Sequence, residues 1–457
     1  MPVFFAARAL LAQGWSHNVR LVVDQQGIIT QVETEASPAG AVQLAGPALP
    51  SMPNLHSHAF QRAMAGLTEV VSGSSDSFWT WREVMYRMVR RLTPDQVRII
   101  ARQLYIEMLK GGYTQVAEFH YLHHDPAGRP YDHPAEMALQ ISLAAQESGI
   151  GLTLLPTLYS YSGFGALPAQ DGQRRFIQQT DGYLVQQQLL LKHMAGVERQ
   201  NLGLCFHSLR AVDQQQIAEV LQASAAWLPV HIHVAEQEKE VADCVHWSGL
   251  RPVQWLLDHF AVDRRWCLIH ATHLDGAEIA SLASSGAVAG LCPTTEANLG
   301  DGIFAATDYL SHNGRWGIGS DSHVSLNVVE ELRWLEYGQR LRDRRRNRIT
   351  DAARTAVGDK LYLDALQGGA QACGVPLGQL APGYRADWLV LDERDPYIQT
   401  AADATLLNRW LFAGGPHQIR AVYVAGQLLI NEGHHPLEQQ SAQAFASVLR
   451  DLGQGAL

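Results

Sequence analysis

A chain of 457 residues, 47% hydrophobic and 18% charged, can bury a large core, either as one α/β barrel with a satellite or as two or three smaller domains. Its 35 lysines and arginines against 45 acids, a formal net charge of -10, argue against a nucleic-acid binder but allow an anionic substrate met by a few local arginines. Five cysteines with no C-x-x-C pair, no basic leader and no run of about 18 apolar residues argue against a disulfide framework and a membrane span, so a reducing, cytoplasmic location is the expectation.

In chain order, "VFFAARALL" and "VRLVVDQQGIITQVE" read as short β segments, the second with a turn at Gln25-Gln26-Gly27. "ALPSMPNLHSH" is a first buried strand, followed by the long insertion "HAFQRAMAGLTEVVSGSSDSFWTWREVMYRM". Thr93 then caps a helix with Pro94 at its first position, and "TQVAEFHY", "GLTLLPTLYS", "LGLCFHSL", "PVHIHVAE", "WCLIHATH", "AVAGLCPT" and "RWGIGSDSH" follow as strands, most of them separated by helical stretches. Eight alternating units predict a (β/α)₈ barrel. After Pro382, "ADWLVLDE" and "IRAVYVAGQLLI" return to β character. The expected organisation is a small β-sandwich built from residues 1–50 and 382–457 around a barrel over 51–381.

Polar residues recur where the apolar runs end: His56 and His58, Tyr121, His207, His233, His270 and Asp321. The C-terminal strand ends of such a barrel carry its active site. A buried, satisfied histidine accounts for any one of these positions but poorly for all of them together. Residues two apart on a strand face the same side, so His56 and His58 can share one mouth. H-x-H alone is weak in a chain with 20 histidines. His231 and His233 form a second such pair, with Glu236 three residues on, and an aspartate in "SDS" is ordinarily a cap or turn residue.

Taken together, H-x-H after the first strand, H-x-x-E after the fifth, histidine after the sixth and aspartate after the eighth resemble the amidohydrolase superfamily. The C-terminal "GYRADWLVLDERDP" resembles that family's small β domain. The two-metal members carry a bridging lysine after the fourth strand, where this chain has "LCFHSLRAV". The resemblance therefore implies a mononuclear deaminase. His56, His58, His233 and Asp321 would hold one metal per subunit, zinc by the ligand set, with iron and manganese left open. Asp321 would also accept a proton from the attacking water, Glu236 would protonate the leaving nitrogen, and His270 would stabilise developing charge. A homodimer is implied as well.

The substrate has to be read from the loops. The insertion after the first strand brings Trp79, Trp81 and Arg82, and is expected to cover the substrate. Arginines hold carboxylates through paired hydrogen bonds, although Arg82 is equally compatible with a structural ion pair. "PNLHSHAFQRAMAGL", "FWTWREVMY", "EFHYLHH" and "FHSLRAV" are similar to the formimidoylglutamate deiminase family of bacterial histidine degradation. That resemblance implies that Gln61, Arg82, Tyr121, His207 and Arg210 surround N-formimino-L-glutamate, which is converted to N-formyl-L-glutamate and ammonia. A purine or related heterocycle deaminase remains an alternative, kept open by Phe78, Trp79 and Trp81, and a non-catalytic barrel is a weaker one. His120, His123, His124 and His133 read as loop histidines, His273 as a packing or capping residue, and "RLRDRRRNR" as a solvated helix face.

Overall fold

The computed structural model describes residues 1–70 and 78–453, and of residues 78–80 the backbone alone. Eight parallel strands form the barrel in the order of the sequence: Met52–Ser57, Tyr113–His120, Gly151–Leu158, Leu204–Ser208, Val230–Val234, Trp266–His270, Val288–Leu291 and Arg315–Ile318. A short strand, Gln200–Leu202, pairs beside the third. Every residue of Tyr113–His120 and Gly151–Leu158 is buried, as expected of parallel strands covered on both faces.

The ring closes where it matters chemically. Ser57 bridges Asp321 in parallel register, the Asp321 amide donates to the His56 carbonyl at 3.0 Å, and the His58 amide donates to the Asp321 carbonyl at 3.3 Å. Closure thus brings the end of the first strand against the end of the eighth. Two glycines permit it. A Cβ on Gly319 would lie 2.7 Å from that of His56, and one on Gly368, in the helix Val357–Cys373 behind the seam, would lie 1.8 Å from the Trp316 carbonyl oxygen.

Thr93 caps the helix Pro94–Lys110 through a reciprocal pair with Gln96, each bond 3.2 Å long. Its buried Val97, Ile100, Ala101, Leu104 and Met108 follow the helical period, so one face packs on the barrel.

Both termini contribute to one eight-stranded sheet, which is the form the expected sandwich takes. Val3–Leu11 lies beside Ala48–Pro50, which pairs with Trp388–Leu391 and, through it, with Ile419–Val424. Phe4, Leu21, Trp388 and Tyr423 belong to its separate apolar core. The C-terminal region is less purely β than its sequence suggests, because helices Asp403–Ala413 and Glu438–Gly453 lie within it. Among the described residues no helix is long and apolar enough to cross a membrane.

Candidate active site

His56 belongs to the first barrel strand and His58 follows it directly; His233, His270 and Asp321 end or follow the fifth, sixth and eighth. All five are buried, and they converge. The Nε2 atoms of His56 and His233 are 3.1 Å apart. The Nε2 atoms of His56 and His58 each lie 3.4 Å from Asp321 Oδ1. Ligand atoms bound at the usual length to one tetrahedral ion stand about 3.3–3.5 Å apart, so this spacing fits a single metal.

The tautomers fit too. His58 Nδ1 donates to the Phe119 carbonyl at 2.8 Å and His233 Nδ1 to the His207 carbonyl at 2.9 Å. Each Nε2 is left with a lone pair aimed into the cluster. Burial first, and neighbouring histidines second, lower His56 to about 3 and His233 well below the usual imidazole value. His58 is lowered by burial as well. Neutral imidazole is the form that binds a metal.

Backbone strain marks the same strand ends. Ala235, His270 and Asp321 adopt φ of 52°, 67° and 44°, in the left-handed region that such residues enter only when their surroundings hold them there.

Glu236 and His270 form the second part of the site. Glu236 Oε1 lies 3.8 Å from His270 Nε2, which is also 3.8 Å from Asp321 Oδ2. Burial raises Glu236 to about 7 against the opposing pull of His270 and Arg210, and holds it ready to exchange a proton near neutrality. Burial disfavours charge on His270, yet Glu236, Glu296 and Asp321 together raise it to about 10.

The pocket above these groups is lined by Gln61, Trp81, Arg82, Tyr121, His207 and Arg210, together with His58, His233, Glu236, His270 and Asp321. All five residues expected to contact substrate therefore face one cavity. Gln61 Nε2 donates to the Tyr121 hydroxyl at 2.9 Å, and Arg210 lies 3.9 Å from Glu236. Residues 71–77 of the insertion expected to cover the substrate, and the side chains of Phe78 and Trp79, lie outside the described residues.

His273 agrees with its reading as a packing or capping residue, its Nε2 donating to the Asp301 carbonyl at 2.8 Å. The basic run 340–348 is a helix face only in part, because the helix Val328–Asp343 ends within it; Arg340, Arg342 and Arg348 pair with Glu336 and Asp343. His120 ends the strand Tyr113–His120 rather than lying in a loop, and His123 in the loop after it is buried, its Nε2 donating to the Thr157 carbonyl at 2.9 Å.

Sequence reasoning missed two carboxylates. Glu240 accepts from the amides of Ala235 at 3.2 Å and Glu236 at 3.1 Å, and with Glu236 it offsets the burial of Arg210. Its place four residues after Glu236, at the start of a helix, was the available signal. Glu296 Oε1 sits 3.4 Å from His270 Nδ1 and accepts from the Cys292 amide at 2.9 Å. A groove of about 750 Å³ near Trp227, Arg264, Arg265 and Arg315 lies instead at the N-terminal strand ends, away from these groups.

Comparison with known proteins agrees with this geometry. The Amidohydrolase family model matches residues 48–429, and the model for "Formimidoylglutamate deiminase HutF, N-terminal domain" matches residues 1–45. A formimidoylglutamate deiminase of Pseudomonas aeruginosa is 62% identical over 454 residues, 99% of this chain and 100% of that one. A 5-methylthioadenosine/S-adenosylhomocysteine deaminase of Natronomonas pharaonis is 27% identical, covering 84% of this chain and 81% of its own. The crystal structure of an amidohydrolase from Brucella melitensis superposes with a TM-score of 0.94 at 44% identity, covering 99% of this chain and 100% of that one.

Proposed function

The chain belongs to the amidohydrolase family, and from that premise we propose that it hydrolyses the amidine C–N bond of N-formimino-L-glutamate to give N-formyl-L-glutamate and ammonia. The observation that carries this reading is one pocket that joins a His/Asp metal cluster and a Glu–His proton-transfer pair to two guanidiniums, Arg82 and Arg210. Two cations suit a substrate with two carboxylates, whereas a heterocyclic base offers them no anionic partner.

His56, His58, His233 and Asp321 would hold the metal, with zinc proposed at one ion per subunit. When bound, a divalent ion supplies Lewis-acid activation of water at neutral pH. Asp321 takes a proton from the attacking water. Glu236 gives a proton to the amidine nitrogen and recovers one from the hydroxyl as the tetrahedral carbon collapses, while the proton taken up by Asp321 completes the departing ammonia. His270, within 3.8 Å of Glu236 and Asp321 and 3.4 Å of Glu296, stabilises the charge that develops in the reaction. Arg82 and Arg210 orient the two carboxylates, with Gln61, Tyr121 and His207 supplying hydrogen bonds around the rest of the substrate. The proposal extends to a cytoplasmic homodimer acting in histidine degradation, and to a division into residues 1–50, 51–381 and 382–457.

The test is ammonia release from N-formimino-L-glutamate by protein carrying about one equivalent of zinc, beside an uncharged analogue. Turnover of the diacid alone is expected. Silence with the diacid, from protein shown to hold metal, would refute the reading.

A further inference from the structure

Two tyrosines with no part in the proposed chemistry stand in the wall of the same pocket, Tyr86 and Tyr159. Both are buried, at 4% and 6% exposure. Tyr86 lies beneath Arg82, whose Cζ is 5.4 Å from the ring centroid. The Tyr159 ring is 4.3 Å from that of His207. The tyrosines therefore touch two of the groups assigned to the substrate rather than the metal cluster.

Gln173 Nε2 donates to the Tyr159 hydroxyl at 2.8 Å, and its own Oε1 accepts from the Gln170 amide at 2.8 Å, so the amide is fixed from both ends. Tyr86, against which the Gln173 loop packs at Gly172, completes a triad in this wall. An amide nitrogen can only donate, so the Gln173 bond occupies a lone pair of the Tyr159 oxygen and leaves its phenolic O–H to donate into the pocket it lines. An acceptor-only group such as a carboxylate satisfies it best.

The triad is also held rigidly. A Cβ on Gly172 would sit 2.8 Å from the Tyr86 ring, so the loop backbone bears directly on that side chain. Arg175, itself buried, donates to the His124 carbonyl at 2.7 Å and to the Val89 carbonyl, tying this loop to the helix Phe78–Val89 that carries Arg82.

We infer that Tyr86 and Tyr159, oriented by Gln173, form a hydroxyl wall that binds the same substrate carboxylate as Arg82 and selects the glutamyl chain length over a shorter dicarboxylate. This rests on the amidine-hydrolase reading above. A fixed donor in the pocket wall meets a carboxylate at one reach only; a chain one methylene shorter leaves the donor unpaired.

The experiment measures kcat and KM of the zinc-loaded full-length protein for N-formimino-L-glutamate and N-formimino-L-aspartate, in wild type, Tyr86→Phe, Tyr159→Phe and Gln173→Leu. Loss of a hydrogen bond to a charged group predicts a KM for the glutamyl substrate raised about ten- to a hundredfold in one or both Tyr→Phe variants, with kcat changed less than about threefold. The preference for the glutamyl over the aspartyl compound should fall in the same variants. Gln173→Leu leaves both tyrosines in place and should move KM in the same direction, which keeps the test decisive if a Tyr→Phe variant fails to fold. A KM unmoved in every variant that folds, or a fall in kcat at constant KM, overturns the assignment. Wild-type protein inert towards N-formimino-L-glutamate at full metal content would instead refute the amidine reading itself.

Discussion

The Nδ1 of His270 faces Glu296 Oε1 at 3.4 Å while its Nε2 faces Glu236 and Asp321, both at 3.8 Å. The imidazole is enclosed by carboxylates on both edges, and this arrangement favours the cation over the neutral ring. If that cation stabilises charge during the reaction, His270→Asn should lower kcat by about 10²–10⁴-fold. Glu296→Gln should lower it less, because the amide keeps the contact and loses only the charge. Steady-state kinetics on protein of matched metal content checks both. An unchanged kcat in His270→Asn would remove this residue from the chemistry.

The four proposed ligands are supplied by three different strand ends, so a bound ion ties together parts of the barrel that are distant in sequence. Chelation is expected to abolish turnover and to lower Tm, since an ion that binds only the folded state stabilises it by mass action. Zinc added back should restore both. His233→Ala should purify with well under one equivalent of metal by elemental analysis. A chelated protein of unaltered activity would contradict the assigned cluster.

Arg82 and Arg210 differ in burial, and that separates their expected effects. Arg210 is buried among Glu236 and Glu240, whose charges outweigh the burial that opposes its own. Removing it leaves those carboxylates uncompensated, so Arg210→Met should raise KM and also cost roughly 3–5 kcal/mol of stability. Arg82 is only partly buried. Arg82→Met should raise KM with Tm nearly unchanged. Kinetics and thermal unfolding on the same preparations distinguish the two, and an unaltered KM in both variants would mean that neither arginine holds substrate.

Much of this site was legible because its residues stand where apolar runs stop. His56, His58, His233, His270 and Asp321 each stand at or just past the end of a buried strand, and eight such strands imply the barrel that gathers them. Thr93 and Pro94 were legible for a local reason, since a cap and the first helical position are sequence neighbours. Glu296 was not, because its partner His270 lies 26 residues away and meets it only once the sixth and seventh strands pair. Tyr86 and Tyr159 were hidden for the same reason, as both meet the loop around Gln173 only in the folded chain. The helices Asp403–Ala413 and Glu438–Gly453 went unread because the β segments beside them dominated the C-terminal pattern.

Glu118 provides a prediction about stability that is separate from catalysis. Its carboxylate is buried in the second barrel strand and accepts from the Ala59 amide at 2.6 Å, the Ser57 hydroxyl at 2.5 Å and the Tyr105 hydroxyl at 3.1 Å. Burial outweighs these three donors and raises its pKa from 4.5 to about 7. A carboxyl whose folded value exceeds its unfolded value favours the fold fully below the unfolded value, and that contribution is lost as pH rises through the folded one. Wild-type stability should therefore carry a component that declines between about pH 4.5 and pH 7, bounded at about 3 kcal/mol by the size of the shift. Glu118→Gln cannot ionise and lacks that component. The unfolding free energy of the variant relative to wild type should move in the variant's favour as pH rises across this window, measured by denaturant titration of both proteins at equal metal loading. A difference that stays constant with pH would show that the three donors, rather than burial, set the state of this carboxyl.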